Sequence, residues 1–151
     1  MSGIMGGAGS KSGVIGETEL DYEYGEFTPI VTAGGTAMST GGGASITGFY
    51  VKTGRTATLS MKLWSIPVGS SSGAILVTNM PFAPAKNVVF TCRQDYYSSA
   101  YNPQPLFYLP ANQTNIIMYD VGAGATWLAD YQVSHLTNYL FAIVTGTFIT
   151  Y

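Results

Sequence analysis

A strict two-residue alternation over residues 56–63 is the feature that most limits what this chain can fold into. Apolar side chains occupy one set of positions (Ala57, Leu59, Met61 and Leu63) and polar side chains the other (Thr56, Thr58, Ser60 and Lys62). This is the period of a half-buried β-strand. No segment of the chain places apolar residues at helical spacing for more than about one turn. The sequence therefore predicts an all-β protein.

Further strands are predicted from short apolar runs separated by Gly, Pro and Ser. They are Ser45–Lys52, Ala74–Asn79, a strand around Val88, Phe90 and Cys92, Asn115–Asp120 and Leu140–Tyr151. With about seven or eight short strands in all, the pattern favours an antiparallel β-sandwich, jelly-roll-like, with an extended N-terminal arm. Periodicity does not choose among sandwich topologies.

The N-terminal segment has a different composition from the rest of the chain. Its first sixteen residues include six glycines and few large apolar side chains, too few to offset the cost of ordering the segment by itself. We predict a Gly-rich docking arm and acidic linker over residues 1–19, followed by a β-domain over residues 20–151. The arm is expected to dock on a neighbouring chain through residues 1–16 by its apolar pairs, Ile4 with Met5 and Val14 with Ile15. The alternative is an arm folded back along its own domain.

Five of the eight acidic residues lie in the stretch Glu17–Glu26. Carboxylates that converged could bind a metal, but their spacing does not match a calcium loop. We interpret this stretch as a solvated linker between arm and domain. The β-domain that follows is nearly uncharged.

The low charge excludes several classes of function. Only 9% of residues are charged, and six Lys and Arg give a net charge of −2, so a basic nucleic-acid interface is not expected. One cysteine and one histidine cannot build a disulfide scaffold or a structural zinc site. We expect no cofactor, no metal and no membrane insertion. Without a secretory signal, synthesis in the cytoplasm is expected.

The polar side of the predicted strands carries Thr and Ser where a solvated sheet usually carries Lys and Glu. Thr56, Thr58 and Ser60 show this in one strand, and Thr145, Thr147 and Thr150 in the C-terminal strand. Charged residues are depleted at interface cores. These faces therefore predict an obligate homo-oligomer.

Residues for catalysis are scarce. A Ser–His–Asp triad would need His135 with Asp120 or Asp130, and no G-x-S-x-G motif presents a nucleophile. A Cys92–His135 pair is the other nucleophilic arrangement, but a thiol on the face of Val88 and Phe90 favours a buried structural cysteine. We predict no enzymatic activity, with a small hydrolase as the low-weight alternative.

One tyrosine-rich stretch has the composition of a ligand- or partner-binding loop. Tyrosines beside Asn and Gln on a Pro-stiffened loop offer flat stacking surfaces at low entropic cost, which suits sugars or proteins. The equally weighted alternative is that these aromatic rings pack over the domain. The candidate residues are Tyr96, Tyr97, Tyr101, Asn102, Tyr108 and Trp127.

Four segments, in order, resemble a β-rich domain of tailed-bacteriophage virion proteins. They are Tyr22–Pro29, similar to "Y-E-E-G-T-[FW]-T-P"; Gly48–Arg55, similar to "G-x-Y-x-K-I-G-N-x" and followed by the strand Thr58–Leu63; Ile75–Phe82, similar to "I-x-x-L-P-F"; and Gly146–Tyr151, similar to "G-x-Y-I". Departures occur at Tyr24, at Glu26 and over Thr53–Arg55.

The resemblance implies a trimeric jelly-roll-like module used as a tail-fibre tip, head fibre or capsid decoration, without catalytic residues. Our leading expectation is a homotrimer on the outer surface of the head, anchored to the major capsid protein or another virion protein by residues 1–16. The short arm favours this over a tail fibre, which usually carries a long shaft, and three arms per trimer give avidity without a large contact per arm. The alternative is a receptor-binding tail-fibre tip that recognises a host surface glycan.

Overall fold

The structure is a computed structural model that describes residues 22–41, 43–97, 105–120 and 129–151. These residues form eleven β-strands and one short 3-10 turn, η1 (Val133–His135). The strands are β1 (Tyr22–Phe27), β2 (Ile30–Ala33), β3 (Thr36–Ala37), β4 (Ser45–Thr53), β5 (Thr56–Pro67), β6 (Ile75–Thr78), β7 (Val88–Tyr97), β8 (Leu106–Leu109), β9 (Ile116–Asp120), β10 (Ala129–Asp130) and β11 (Leu136–Ile149). The all-β prediction is confirmed.

All strands belong to one curled antiparallel sheet, in the order β1-β4-β5-β11-β7-β8-β9-β6-β2-β3, with β10 paired to β9. The predicted jelly-roll sandwich is not confirmed, because a single hydrogen-bonded path links the strands. Strand β7 belongs to both parts of this path: its first three residues pair with β8, and the rest of it runs beside β11. We call β1, β4, β5, β11 and β7 the long-strand half and the remaining strands the short-strand half.

Strand β5 has the predicted alternation. Its apolar positions from Ala57 to Leu63 are buried, and the positions between them are exposed. The alternation then shifts at a β-bulge, where Trp64 and Ser65 lie opposite Phe141 and Ser65 adopts a φ of 56°. Because a bulge adds one residue to a strand, Ile66 is also buried. The bulge allows a strand longer than predicted to keep one face on the core.

The concave side of the sheet is filled by side chains from both halves. Leu59, Met61 and Leu140 from the long strands are fully buried, as are Phe107 and Met118 from the short ones. Each such side chain contributes about 1.5–3 kcal/mol when it is removed from water. One continuous core therefore joins the two halves.

Gly146, near the C-terminal end of β11, leaves space for an aromatic ring of the core. A Cβ at Gly146 would lie 2.5 Å from Cδ1 of Phe90, which is itself buried and packs edge-on against Phe148 at 6.0 Å between centroids. The missing side chain leaves the space that the Phe90 ring occupies. Any larger residue would have to displace that ring.

The predicted solvated linker is wrong for residues 22–26. These residues lie in β1, which pairs with β4 from Tyr22 opposite Thr53 to Phe27 opposite Gly48. Phe27 lies over Gly48, and Tyr50 of β4 lies in the same way over Gly25 of β1. Two aromatic rings placed on glycines across the strand pair hold the acidic strand in the sheet. The domain boundary at residue 20 itself lies outside the described residues.

Candidate assembly face and ligand-binding residues

The outward side of the long-strand half carries most of the exposed apolar surface. Eight of the ten large apolar side chains recorded as exposed in the described part of the chain belong to these strands, the exceptions being Ile30 and Tyr151. The eight are Tyr22, Tyr24, Phe49, Val51, Val89, Tyr139, Ile143 and Ile149. Monomeric proteins rarely expose a continuous apolar surface of this kind.

The strand register places these side chains in rows with threonines. One row runs across the sheet through Tyr24, Val51, Thr58 and Thr147. The next runs through Glu26, Phe49, Ser60, Thr145 and Thr91. We call the outward surface formed by these two rows and the neighbouring Tyr22 and Ile149 the assembly face.

The threonine hydroxyls in these two rows are already hydrogen-bonded within the sheet. The Thr58 and Thr147 Oγ1 atoms lie 2.8 Å apart, Thr145 Oγ1 donates to the Leu59 carbonyl at 3.1 Å, and Thr91 Oγ1 donates to the Thr145 carbonyl at 3.0 Å. Because their polar atoms have partners, these threonines can lose water at less cost than unpaired hydroxyls. The face is more hydrophobic than its composition indicates.

Charges lie at the margin of this surface. Glu26 is at one end of a row on the edge strand β1, while Lys62 and Arg93 flank Ile143 in the row beyond the assembly face. The ammonium group of Lys62 lies 5.3 Å from the centroid of the Trp64 ring, a cation–π contact. The centre of the face is uncharged, which agrees with the sequence-based expectation of a covered surface.

An aromatic group, which we call the aromatic end, lies beyond Lys62 on the same side of the sheet. The Trp64 and Phe141 rings pack edge-on at 4.9 Å, and Tyr139 packs against Phe141 at 6.0 Å. The sequence did not predict this group. Trp64 comes directly after the regular alternation of residues 56–63, and the bulge that places it opposite Phe141 has no sequence motif. Aromatic residues two apart in β11 were the available indication.

The tyrosine-rich candidate surface is only partly within the described residues. Tyr96 and Tyr97 are the last two residues of β7, one strand away from Phe141, but their side chains are outside the described part, as are Tyr101, Asn102 and Trp127. Tyr108 was predicted to lie in a loop, but the structure places it in a strand. It lies in β8, half-buried, with its ring 5.8 Å from that of Tyr119 on β9. Its observed contact is packing between strands.

The arm residues Ile4, Met5, Val14 and Ile15 also lie outside the described residues. The prediction that residues 1–16 dock on another chain stays a prediction. The described structure begins at Tyr22, where β1 joins the edge of the sheet.

The single histidine is buried beside a carboxylate. His135 is 7% exposed, and Nδ1 lies 3.5 Å from Oδ2 of Asp120 and 3.4 Å from the backbone nitrogen of Gln132, whose N–H donates to it. The ring of Tyr131 packs edge-on against the imidazole at 5.0 Å. The other carboxylate oxygen of Asp120, Oδ1, is buried and has no hydrogen-bond partner among the residues that the structure describes. The structure thus joins two members of the triad considered above inside the core.

The cysteine lies where a structural thiol was expected. Cys92 packs against the core, and its thiol donates to the carbonyl of Pro105 at 3.0 Å. Burial raises the pKa of Cys92, which lowers the thiolate fraction at neutral pH and with it the nucleophilicity. Within the described ranges, His, Cys, Asp and Glu form no group of three or more that could hold a metal ion.

One cleft of about 530 Å³ opens between the β2–β3 hairpin and the start of β4. Its wall is mostly apolar and includes Pro29, Ile30, Met38 and Ile46. It can accept an apolar group, but its described lining has no titratable side chain for chemistry.

In the part of the chain that the structure describes, no helix is long and apolar enough to cross a membrane.

Comparison with known proteins gives a likeness of fold. No protein-family model matches the chain, and no curated protein matches it significantly. The fold is similar to part of the crystal structure of Dettilon tailspike protein (gp208), with a TM-score of 0.56 and 22% sequence identity. The match covers 85% of this chain and 24% of the tailspike chain, so this chain spans about a quarter of that protein's length. At this identity the comparison establishes a fold shared with a phage tailspike.

Proposed function

We propose that this chain is a non-enzymatic structural module of a bacteriophage virion that works as an assembly of identical copies, a homotrimer, joined through the assembly face. The observation that carries the proposal is the uncharged centre of the outward surface of the long-strand half, with Tyr24, Phe49 and Val51 exposed beside hydrogen-bonded threonines. Such a surface is unfavourable in water and favourable at the core of an interface.

The size of the face is consistent with this role. The face is five strands wide at about 4.8 Å per strand, and its two rows with the neighbouring Tyr22 and Ile149 cover about six residues at about 3.3 Å per residue, so it spans roughly 24 by 20 Å. The projected area of ~480 Å² is more than half of the ~800 Å² that each partner contributes to a standard interface, and side chains raise the accessible area further. One copy of the chain can therefore supply one side of a stable contact.

The virion assignment rests on two independent likenesses. The four ordered segments beginning at Tyr22–Pro29 resemble phage virion proteins, and the fold is similar to that of a phage tailspike. Both support a virion protein on an outer surface. Neither likeness depends on the assembly face.

A charge placed on the assembly face tests the assembly. We expect Val51→Lys to raise the dissociation constant more than 100-fold, because an unpaired ammonium would be buried at the contact. Ile30→Lys is the matched control: Ile30 is exposed to a similar degree, 43% against 42%, but lies in the short-strand half. Sedimentation velocity measures both variants. A monomeric wild-type chain at micromolar concentration, or equal effects of the two substitutions, would contradict the proposal.

The site on the virion separates two forms of the proposal. Capsid decoration requires residues 1–16 to bind the shell. Deleting these residues should abolish attachment to capsids while leaving the oligomer intact, as measured by co-sedimentation with purified capsids. Unchanged attachment would exclude the arm as the anchor.

Receptor binding at the tail is the second candidate, and the tailspike likeness and the aromatic end favour it. Exposed aromatic rings stack on sugar rings, and Tyr139 is 40% exposed beside Phe141. We expect Tyr139→Ala to reduce binding of purified host-surface glycan at least tenfold. Tyr151→Ala, two residues beyond the end of β11, is the matched control. Equal binding by both variants would remove the aromatic end from the receptor site.

A further inference from the structure

The charges around the assembly face are arranged with opposite signs on different strands. Glu26 projects from the edge strand β1, while Lys62 projects from β5, two strands away on the same side of the sheet. The register places them two residues apart along the strands, because Glu26 is opposite Phe49 and Lys62 is opposite Thr47. Their Cα atoms are therefore separated by about 10 Å across the sheet and about 7 Å along it.

At this separation Glu26 and Lys62 of one copy do not form an ion pair with each other. Both are exposed, and both border an uncharged surface that would exclude water once it is covered. Charges at the rim of an apolar contact set the register and orientation of the partners. Arg93, in the row of Lys62, adds positive potential on the same side.

We propose that a second copy of this chain packs on the assembly face with Glu26 of one copy against Lys62 of the other. This proposal rests on the proposed self-assembly and adds the contact that fixes its register. Charge complementarity identifies the partner: the face is bordered by one carboxylate on the acidic strand and by cations on β5 and β7. The acidic strand β1 of one copy therefore matches the basic row of another.

A charge-exchange experiment tests the contact by double-mutant logic. Glu26→Lys and Lys62→Glu alone each place like charges together, and each should raise the dissociation constant about tenfold. The double variant, with both substitutions in the same chain, restores an opposite-charge pair at every contact. Its dissociation constant should return to within about threefold of the wild-type value. This expectation holds for any symmetry of the assembly.

The controls separate this contact from general effects of charge. Lys86→Glu makes the same change in charge at an exposed position in the loop before β7 and should leave assembly unchanged. Glu26→Gln and Lys62→Gln remove one charge without repulsion and should each weaken assembly about threefold. Circular dichroism and thermal unfolding confirm that each variant is folded.

The outcomes distinguish the two levels of the proposal. If the wild-type chain assembles and the double variant is as weak as the two single effects combined, the Glu26–Lys62 contact is wrong while self-assembly stands. If the wild-type chain is monomeric, the proposed function and this contact both fail. The contact is supported only if the dissociation constant of the double variant returns to near the wild-type value.

Discussion

The two halves of the sheet share one core but have different outer surfaces. In the short-strand half most outward apolar residues of the described part are half-buried by one another: Leu76 and Ile117 are opposite each other, Ile117 is opposite Tyr108, and Tyr108 packs on Tyr119. Ile30, 43% exposed, is the exception there, whereas in the long-strand half Tyr24 and Phe49 are more than half exposed. The short strands largely cover their own outer surface, whereas the long strands leave theirs in water.

This difference favours the long-strand half as the surface that the proposed partner would cover, without reference to any motif. Low charge alone is found over both halves, so composition does not distinguish them. Exposure distinguishes them, because among the described residues most of the exposed apolar side chains, with the hydrogen-bonded threonines beside them, lie on the long-strand half. The experiments below test whether the difference is confined to the outer surface.

The core should be equally sensitive in both halves. Gly146→Val would force a side chain into the space of the Phe90 ring, and Phe107→Ala would leave a cavity under the short strands. We expect each to lower the free energy of unfolding by about 3 kcal/mol, from overpacking in one case and lost burial in the other. Urea denaturation measures both.

The control for the glycine is Gly41→Ala, where a Cβ would make only an ordinary contact with Ser39 Oγ. It should change the free energy of unfolding by less than about 0.5 kcal/mol. A loss below about 1 kcal/mol for Gly146→Val would show that the two halves do not share one tightly packed core.

Outward isoleucines should separate the two halves directly. Ile117→Ser, at a half-buried position on β9, should lower the stability of the single chain by about 1–2 kcal/mol. Ile143→Ser, at a position 44% exposed on β11, should affect the single chain less and weaken assembly five- to tenfold. Unfolding in dilute solution and sedimentation velocity report the two effects separately.

Similar behaviour of the two serine variants would contradict the proposed difference between the outer surfaces of the two halves. Equal loss of single-chain stability would mean that Ile143 is packed within its own chain. Equal loss of assembly would place part of the contact on the short-strand half.

The smallest expected effect concerns the edge of the long-strand half. The Tyr50 hydroxyl donates to Glu23 Oε1 at 2.7 Å, and this hydrogen bond, with smaller contributions from burial and the carboxylate charge, raises the pKa of Tyr50. A raised pKa in the folded state means that the contribution to stability is complete below about pH 10 and is lost as the pH rises further.

Glu23→Ala should therefore return the pKa of Tyr50 toward its ordinary value. The measurement is ultraviolet titration of phenolate absorbance, with a Tyr50→Phe chain as the reference that isolates this tyrosine from the other ten. Glu26→Ala, on the other side of the same strand, is the control and should leave the titration unchanged. An unchanged pKa in Glu23→Ala would show that β1 does not hold this hydrogen bond in solution.

Much of the fold could be predicted from local pattern. Residues 56–63 alternate strictly because one side of β5 faces the core, and such a pattern has few alternatives. The sequence pattern did not predict strand β1, because a run of acidic residues usually indicates a solvated segment. The alternation of Tyr22 and Tyr24 with Glu23 was the available indication of a strand. Its pairing depends on glycines in two strands, a relation that no single segment shows.

The sites were less predictable than the strands. Threonine-rich outward positions correctly indicated a surface of low charge, but not which half would leave it exposed, because exposure depends on how neighbouring strands cover each other. The aromatic end depends on a bulge at Ser65, whose φ of 56° has no marker such as glycine. The pairing of His135 with Asp120 was considered from composition, and its burial follows from the 3-10 turn that ends at His135.

The pairing of β1 also has a mechanical consequence. Residues 1–21 lead directly into Tyr22, so a pull on that segment acts along the axis of β1 from its first residue. Hydrogen bonds between antiparallel strands lie perpendicular to this axis, so the six residues of β1 share the load in shear instead of separating one pair at a time. The rings of Phe27 and Tyr50 would also have to slide off Gly48 and Gly25. The edge strand is thus suited to bear a load applied through the N-terminal segment.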